Sequence, residues 1–250
     1  MAGTLSTNLL AYIYSRYNSR DSPWWMLQNI QDYVSMAPDG ISLLNERVKR
    51  RFPKDDSWVE WNDSSAYSYS STLAEIIQEI MQRHADGIHF REYNAGPNLD
   101  RQMSNEGFNI DIEVDWTTGF VSGGNKYNCG TWMDKMGESL KAGTQGIPAT
   151  PRDGAPIEIT GLLKSTLRWL TYLSSAGKFP FQGVVAESKS LSTIVVRILR
   201  ELSPLVHGVR RQVTYSEWDS LIQASFEKFY YIPAGKIYKY FLNLLDFPLE

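Results

Sequence analysis

Cysteine is nearly absent: the 250 residues contain one, Cys129. A single thiol excludes a disulfide scaffold and a thiolate zinc site. Histidine is scarce too, with three in all, so neither a metal nor any other cofactor is expected. Charge of one sign is also missing. Lys and Arg number 25 against 28 Asp and Glu, a formal net charge of −3. No basic field therefore recruits nucleic acid or an anionic membrane. Long apolar runs are lacking, and no window reaches the roughly 18 uncharged apolar residues that a spanning helix requires. Met1 to Tyr14 has neither a basic n-region nor a small-residue cleavage site, so no signal peptide is expected. With a free cysteine this points to a reducing compartment, the cytoplasm.

What is present is an ordinary globular balance, 42% hydrophobic and 21% charged, at a length suited to one large domain or two small ones. The excess lies in aromatics: 8 Trp, 14 Tyr and 10 Phe. Such rings serve cores, interfaces and sugar surfaces alike.

Ser22-Pro23-Trp24-Trp25 reads as a helix start, with Ser22 as cap and Pro23 in the first turn. Trp24, Leu27, Ile30, Gln31 and Val34 keep helical spacing until Pro38-Asp39-Gly40. A shorter helix is predicted over residues 41–50, and residues 52–70 read as a polar surface loop. Thr72 and Glu75 form a capping box ahead of Leu73, Ile76, Ile77, Ile80 and Met81, the clearest amphipathic helix. Ile110, Ile112, Val114 and Trp116 alternate with Asp111, Glu113 and Asp115 as a strand does, and Thr117-Thr118-Gly119 turns it into Phe120-Val121. A long helix is expected from about Ile157 to Ser175, stopped by Gly177. Residues 190–206 are helical by period. Thr214 and Glu217 cap a further helix through Trp218, Leu221, Ile222 and Phe226, with Pro233-Ala234-Gly235 as its end. No fixed-period repeat or low-complexity tract occurs. The reading is mostly α, with one small β-hairpin near residues 108–122.

Two long irregular stretches combine aromatic and polar groups: Tyr17 to Trp25, and Gly123 to Glu138. Long ordered loops tend to carry function. A sugar presents a C–H face to an aromatic plane and hydroxyls to Asp, Asn or Arg. Both stretches supply that mixture. The same residues also suit a structural role, with Trp24 and Trp25 as core anchors and Arg20–Asp21 as an ion pair. Asp134 sits among Trp132, Met133 and Met136. Partial desolvation there would raise its carboxyl pKa, as a general acid for glycoside cleavage requires. Glu138 follows four residues on, on the same face if the segment is helical. A plain helix-start aspartate is the alternative.

Other patterns carry no chemistry. Gly123-Gly124-Asn125-Lys126 lacks phosphate-loop spacing. His84, His89 and His207 form no catalytic motif and read as surface or structural. Cys129 reads as a packing residue. Arg47, Lys49, Arg50 and Arg51 read as a solvated helix face.

At the two irregular stretches the sequence resembles the C-terminal amylo-α-1,6-glucosidase domain of eukaryotic glycogen debranching enzymes. Tyr17-Asn18-Ser19-Arg20-Asp21 with Trp24-Trp25 and Gln28 to Tyr33 looks like the family's early sugar-site helix. Arg91-Glu92-Tyr93-Asn94-Ala95-Gly96-Pro97, Gly107-Phe108-Asn109-Ile110, Gly123 to Glu138 (G-G-N-K-Y-N-C-G-T-W-M-D-K-M-G-E) and Gly146 to Gly154 match it further. The likeness runs over residues 2–181 and resumes over 212–229.

The resemblance implies an (α/α)6 toroid of the glucoamylase-like type, incomplete here. It implies one partial glucosidase domain over residues 1–250, with 184–207 as an insertion and 236–250 as a divergent tail. The implied activity is hydrolysis of the α-1,6-linked glucose left at a trimmed branch, with glycogen, limit dextrin or malto-oligosaccharide as partner. Asp134 takes the general acid's place in the family's Thr-Trp-Met-Asp element. Tyr17, Asn18, Arg20, Asp21, Trp24, Trp25, Asn128, Trp132, Lys135, Glu138, Arg152 and Asp153 would shape the glucose subsite. The family's general base belongs to later helices than this sequence holds. Hydrolysis by this chain alone is therefore not expected, and the alternative is a non-catalytic fragment or glucan-binding remnant of the domain.

Overall fold

The computed structural model describes residues 17–55, 57–131, 136–149, 153–188 and 209–231. Helix α1 spans Ser22–Met36 and buries Trp24, Leu27 and Ile30 on one face. Its cap is Asp21 rather than Ser22, and no side chain closes the cap. The Ser19 hydroxyl lies 2.5 Å from that of Ser22 and donates to Asp21 Oδ1 at 2.7 Å, so both are bound to the preceding loop.

The helix expected over 41–50 is not formed. A 3-10 segment, Gly40–Asn45, leads instead into strand β1, Arg47–Lys49, which pairs antiparallel with β2, Ser70–Thr72. Arg47 donates to the Ser70 carbonyl at 2.7 Å and to its hydroxyl at 3.0 Å. Pairing of Arg47, Val48 and Lys49 with the distant Thr72, Ser71 and Ser70 overrides the local helical period. The basic run accordingly lies on and beyond a strand, and Arg50 forms a two-pronged ion pair with Glu79 at 2.6 and 2.9 Å.

Helix α2, Leu73–Asp86, starts with both capping-box hydrogen bonds in place between Thr72 and Glu75. A three-stranded antiparallel sheet follows: β3 Ile88–Arg91, β4 Asn109–Asp115 and β5 Phe120–Gly123. The β4–β5 hairpin is the one expected, and β3 is an addition. Ile110 and Ile112 point to the core while Asp111 and Glu113 face out, the alternation read from the sequence.

Helix α3, Ile157–Ser175, buries Ile159, Leu163, Leu167 and Leu170 and packs between α1 and helix α4, Tyr215–Tyr230. Helix α4 also has both capping-box bonds, between Thr214 and Glu217. Its Trp218 donates from Nε1 to the Gly119 carbonyl at 2.8 Å, tying the β4–β5 turn to the helix. A ribbon of β6, Gly183–Ser188, and β7, Val209–Thr214, completes the element order. Two glutamines of α2 anchor it. Gln82 accepts from Val185 N and donates to its carbonyl, at 2.9 and 2.8 Å, and Gln78 donates to Gly183 O at 3.0 Å. Residues 184–188 are thus a packed strand. The period at 190–206, His207, Pro233-Ala234-Gly235 and the 236–250 tail lie outside the described residues.

The expectation of a mostly helical chain with one hairpin is corrected: among the described residues there are four helices and seven short strands in three antiparallel sheets, and the helices share one core with the β3–β5 sheet and the β6–β7 ribbon. Trp24, Leu27, Ile77, Met81, Leu163, Leu167, Trp218 and Ile222 are among its fully buried members. Burial of each such side chain stabilises the fold by about 1.5–3 kcal/mol. No helix of the described residues is long and apolar enough to cross a membrane.

His84 is buried within this core, its ring 4.5 Å from that of Trp24 and its Nδ1 donating to the Ile80 carbonyl at 2.8 Å. Burial pushes the imidazole from 6.5 down to about 4. Above 6.5 the ring is neutral in both states, and between 6.5 and 4 only the unfolded chain takes up the proton. The contribution is full above 6.5 and is lost as pH falls towards 4, by about 3 kcal/mol in all. Urea titrations at pH 7, 6, 5 and 4 should show this loss, and His84→Gln should flatten that part of the curve. An unchanged slope in the variant would remove His84 as its source.

Candidate active site

The two irregular stretches are brought together. Residues 17–21 enter α1 along the loop that runs from β5 through residue 131, and Arg20 N–H donates to the Gly130 carbonyl at 2.6 Å. Asn18, Arg20 and Asp21 are all buried. Buried charges and amides are tolerated only when they are bonded. Glycines let the two segments close. A Cβ on Gly130 would sit 2.4 Å from the Asn18 carbonyl oxygen, and one on Gly124, where φ is +75°, would sit 2.9 Å from the Arg20 guanidinium carbon.

Asn128 is the hub of the 123–131 loop. Its side-chain amide donates to the carbonyls of Gly107 and Asn109, both at 3.3 Å, and its carbonyl accepts the Asn125 N–H at 3.3 Å. Asn125 in turn donates to Glu106 O at 3.1 Å and accepts from Tyr127 N at 2.9 Å. A chain without regular structure is thereby fixed to the start of β4. Gly123 and Gly154 exchange backbone hydrogen bonds at 2.9 Å each, which brings the exposed Asp153 alongside the same loop. Met136 and Pro148 form a second bridge, beside which Glu138 is exposed.

Tyr17 is partly buried; burial, and next the neighbouring Tyr67, push its phenol pKa up. Its N–H donates to Glu92 Oε1 at 3.1 Å. Glu92, a buried carboxylate just past β3, was not among the expected site residues. Its only sequence signal is its place in Arg91-Glu92-Tyr93-Asn94, because strand β3 is too short to show a clear period. Trp24 is corrected. It is 0% exposed and belongs to the core, so its ring has no free face for a sugar. Trp25, one residue on, turns the other way and is 43% exposed. Trp132, Asp134, Lys135 and Arg152 lie outside the described residues. Cys129 is buried, as expected of a packing residue.

The arrangement combines buried amide and charged side chains at residues 18–21 and 128 with an exposed indole, Trp25, one helical turn past Asp21. A model of the glycosidase family described as amylo-alpha-1,6-glucosidase matches residues 3–246, so the chain belongs to that family. Among characterised relatives, the glycogen debranching enzyme of Saccharomyces cerevisiae is 53% identical over 218 residues. That alignment covers 87% of this chain and 13% of the yeast protein, so the chain spans a small part of its relative's length.

Two substitutions test the closure. Gly130→Ala should destabilise the fold by about 1–3 kcal/mol, because backbone must move to admit the methyl group. Gly124→Ala should cost a similar amount through its positive φ and the displaced Arg20. Urea unfolding measures both, and losses below about 0.5 kcal/mol, the usual surface effect, would mean that the segments are not closely packed.

Proposed function

We propose that this chain forms part of a glycoside hydrolase domain that cleaves the α-1,6-linked glucose at a trimmed branch of glycogen or limit dextrin. The observation that carries the reading is the closure of the family-matched 123–131 loop on the Tyr17–Asp21 segment, in which Asn18, Arg20 and Asp21 are buried, with Trp25 exposed one helical turn on. The domain assignment is one partial glucosidase domain over residues 1–250, with 184–207 as an insertion and 236–250 as a divergent tail. Helices α1, α3 and α4, packed side by side around one core, supply helix pairs for a glucoamylase-like (α/α)6 toroid. The long connections between them would then line its mouth.

In this reading Asp134 is the general acid. It gives its proton to the glycosidic oxygen as the bond to C1 breaks, and its apolar neighbours in sequence, Trp132, Met133 and Met136, would favour the protonated form. Water adds to C1 and passes a proton to a carboxylate base, which for inversion stands about 6.5–9.5 Å from the acid. Asn18, Arg20, Asp21, Asn128 and Asp153 orient the glucose, directly or through the loop they hold, while Tyr17 and Trp25 face the ring. Trp132, Lys135, Glu138 and Arg152 complete the subsite. No cofactor takes part.

A second reading, glucan binding without hydrolysis, draws on Asp21 and Glu92. Both buried carboxylates are engaged in holding the chain, Asp21 by the Ser19 hydroxyl and Glu92 by the Tyr17 N–H, rather than being presented to a ligand.

Asp134→Asn decides between them. In a complete debranching polypeptide carrying this segment, the variant should retain glucan binding and lose glucose release from limit dextrin by about 10²–10⁴-fold. Release within about tenfold of the parent would take the acid role from Asp134. Trp25→Ala should weaken malto-oligosaccharide binding with little change in melting temperature. Unchanged affinity would remove Trp25 from the subsite.

A further inference from the structure

The loop between β1 and β2 carries rings that the subsite does not use. Trp58 stacks on Tyr93, with centroids 3.9 Å apart and planes 19° apart. Phe52 lies 5.2 Å from Trp58. Tyr17 meets both edge-on, at 6.4 Å from Phe52 and 6.0 Å from Trp58. The Arg51 guanidinium lies 4.7 Å from the Phe52 centroid and 5.8 Å from that of Tyr67. The cluster is not sealed in the core: Tyr93 is 46% and Tyr67 47% exposed.

Its backbone is strained. Tyr67, at φ +57°, and Asn94, at φ +59°, are the non-glycine residues of positive φ among the described residues, and both lie at this cluster. Asparagine tolerates that conformation, but a tyrosine there costs about 1–2 kcal/mol and persists only when its surroundings impose it. Strain of this kind gathers at binding sites. Between residues 52 and 70 the aliphatic residues are Val59 and Ala66, and most of the remainder are Ser, Asp, Glu and Asn. The exposed faces of this small ring cluster are therefore bordered by hydrogen-bonding groups. A protein partner would need a contiguous apolar patch, whereas a sugar chain offers C–H faces to rings and hydroxyls to a polar rim. The platform also adjoins the subsite: Tyr93 follows Glu92, whose carboxylate holds the Tyr17 N–H.

We propose that Trp58, Tyr93 and Tyr67 form a binding platform for the α-1,4-linked glucan chain that bears the branch glucose. The assignment rests on the glucan reading above and extends it from the terminal sugar to the chain that carries it. The platform makes affinity depend on chain length, because a single glucose fills the subsite without reaching the rings.

Calorimetry of the full chain with glucose and with maltoheptaose tests this. Tyr93→Ala and Tyr67→Gly should each weaken maltoheptaose about five- to tenfold, the scale of one aromatic contact, and leave glucose unchanged. Tyr67→Gly also relieves the positive φ, so its melting temperature should not fall, which separates ligand contact from structural support. Maltoheptaose affinity equal to the parent's in both variants, but lowered in Trp25→Ala, would overturn the platform and leave the subsite standing. Loss of affinity in Tyr93→Ala together with melting temperature, with Tyr67→Gly binding as the parent does, would make the cluster structural and overturn the proposal. A parent chain that binds neither sugar would overturn both readings.

Discussion

The region that distinguishes this chain is built on the burial of a polar entry segment. Asn18, Arg20 and Asp21 are removed from water just before the first helix. Leaving such groups unbonded would cost several kcal/mol, comparable to a large share of a domain's net stability. The surrounding chain is bonded to this segment at several points. The Arg20 backbone N–H bonds the Gly130 carbonyl, the Ser19 hydroxyl bonds the Asp21 carboxylate, and the Tyr17 N–H bonds Glu92. The glycines at 124 and 130 let the partner loop approach at distances that no side chain would permit.

That closure relies on the core behind it. Trp24, Leu27 and Ile30 seat α1 against α3, and Trp218 of α4 holds the β4–β5 turn through the Gly119 carbonyl. The hairpin in turn sets where the 123–131 loop begins. The loop has little apolar content of its own and takes its order from Asn128, which binds it to Gly107 and Asn109. Rigid helices and a short sheet thus position an irregular chain segment, the usual division between a scaffold and the loops it holds.

The aromatic excess divides the same way. Trp24 and Trp218 are core, and the Trp218 ring packs 4.9 Å from Trp116. Trp25, Tyr67 and Tyr93 remain substantially exposed, on the entry helix and on the loops beside Tyr17.

Several elements were legible in the residues because their causes are local. The two capping boxes, the 3.6-residue stripes of Leu73–Asp86 and Ile157–Ser175, and the alternation of Asn109–Asp115 depend on neighbours a few positions away. The motif-bearing stretches at 17–25 and 123–138 could be singled out for the same reason. What could not be read depended on distant partners. Arg47–Lys49 became a strand because Ser70–Thr72 folds back on it, and Ile88–Arg91 because β4 lies beside it. Residues 184–188 became a strand through β7 and the glutamines of α2. Trp24 and Trp25 are adjacent and chemically identical, yet one is sealed and the other open, since a helix turns successive residues by about 100°. The sequence by itself determined where helices start and which segments hold polar and aromatic groups together. Only the tertiary structure decided which of those groups face solvent and that Glu92 joins them, because burial is set by what packs against a residue from elsewhere in the chain.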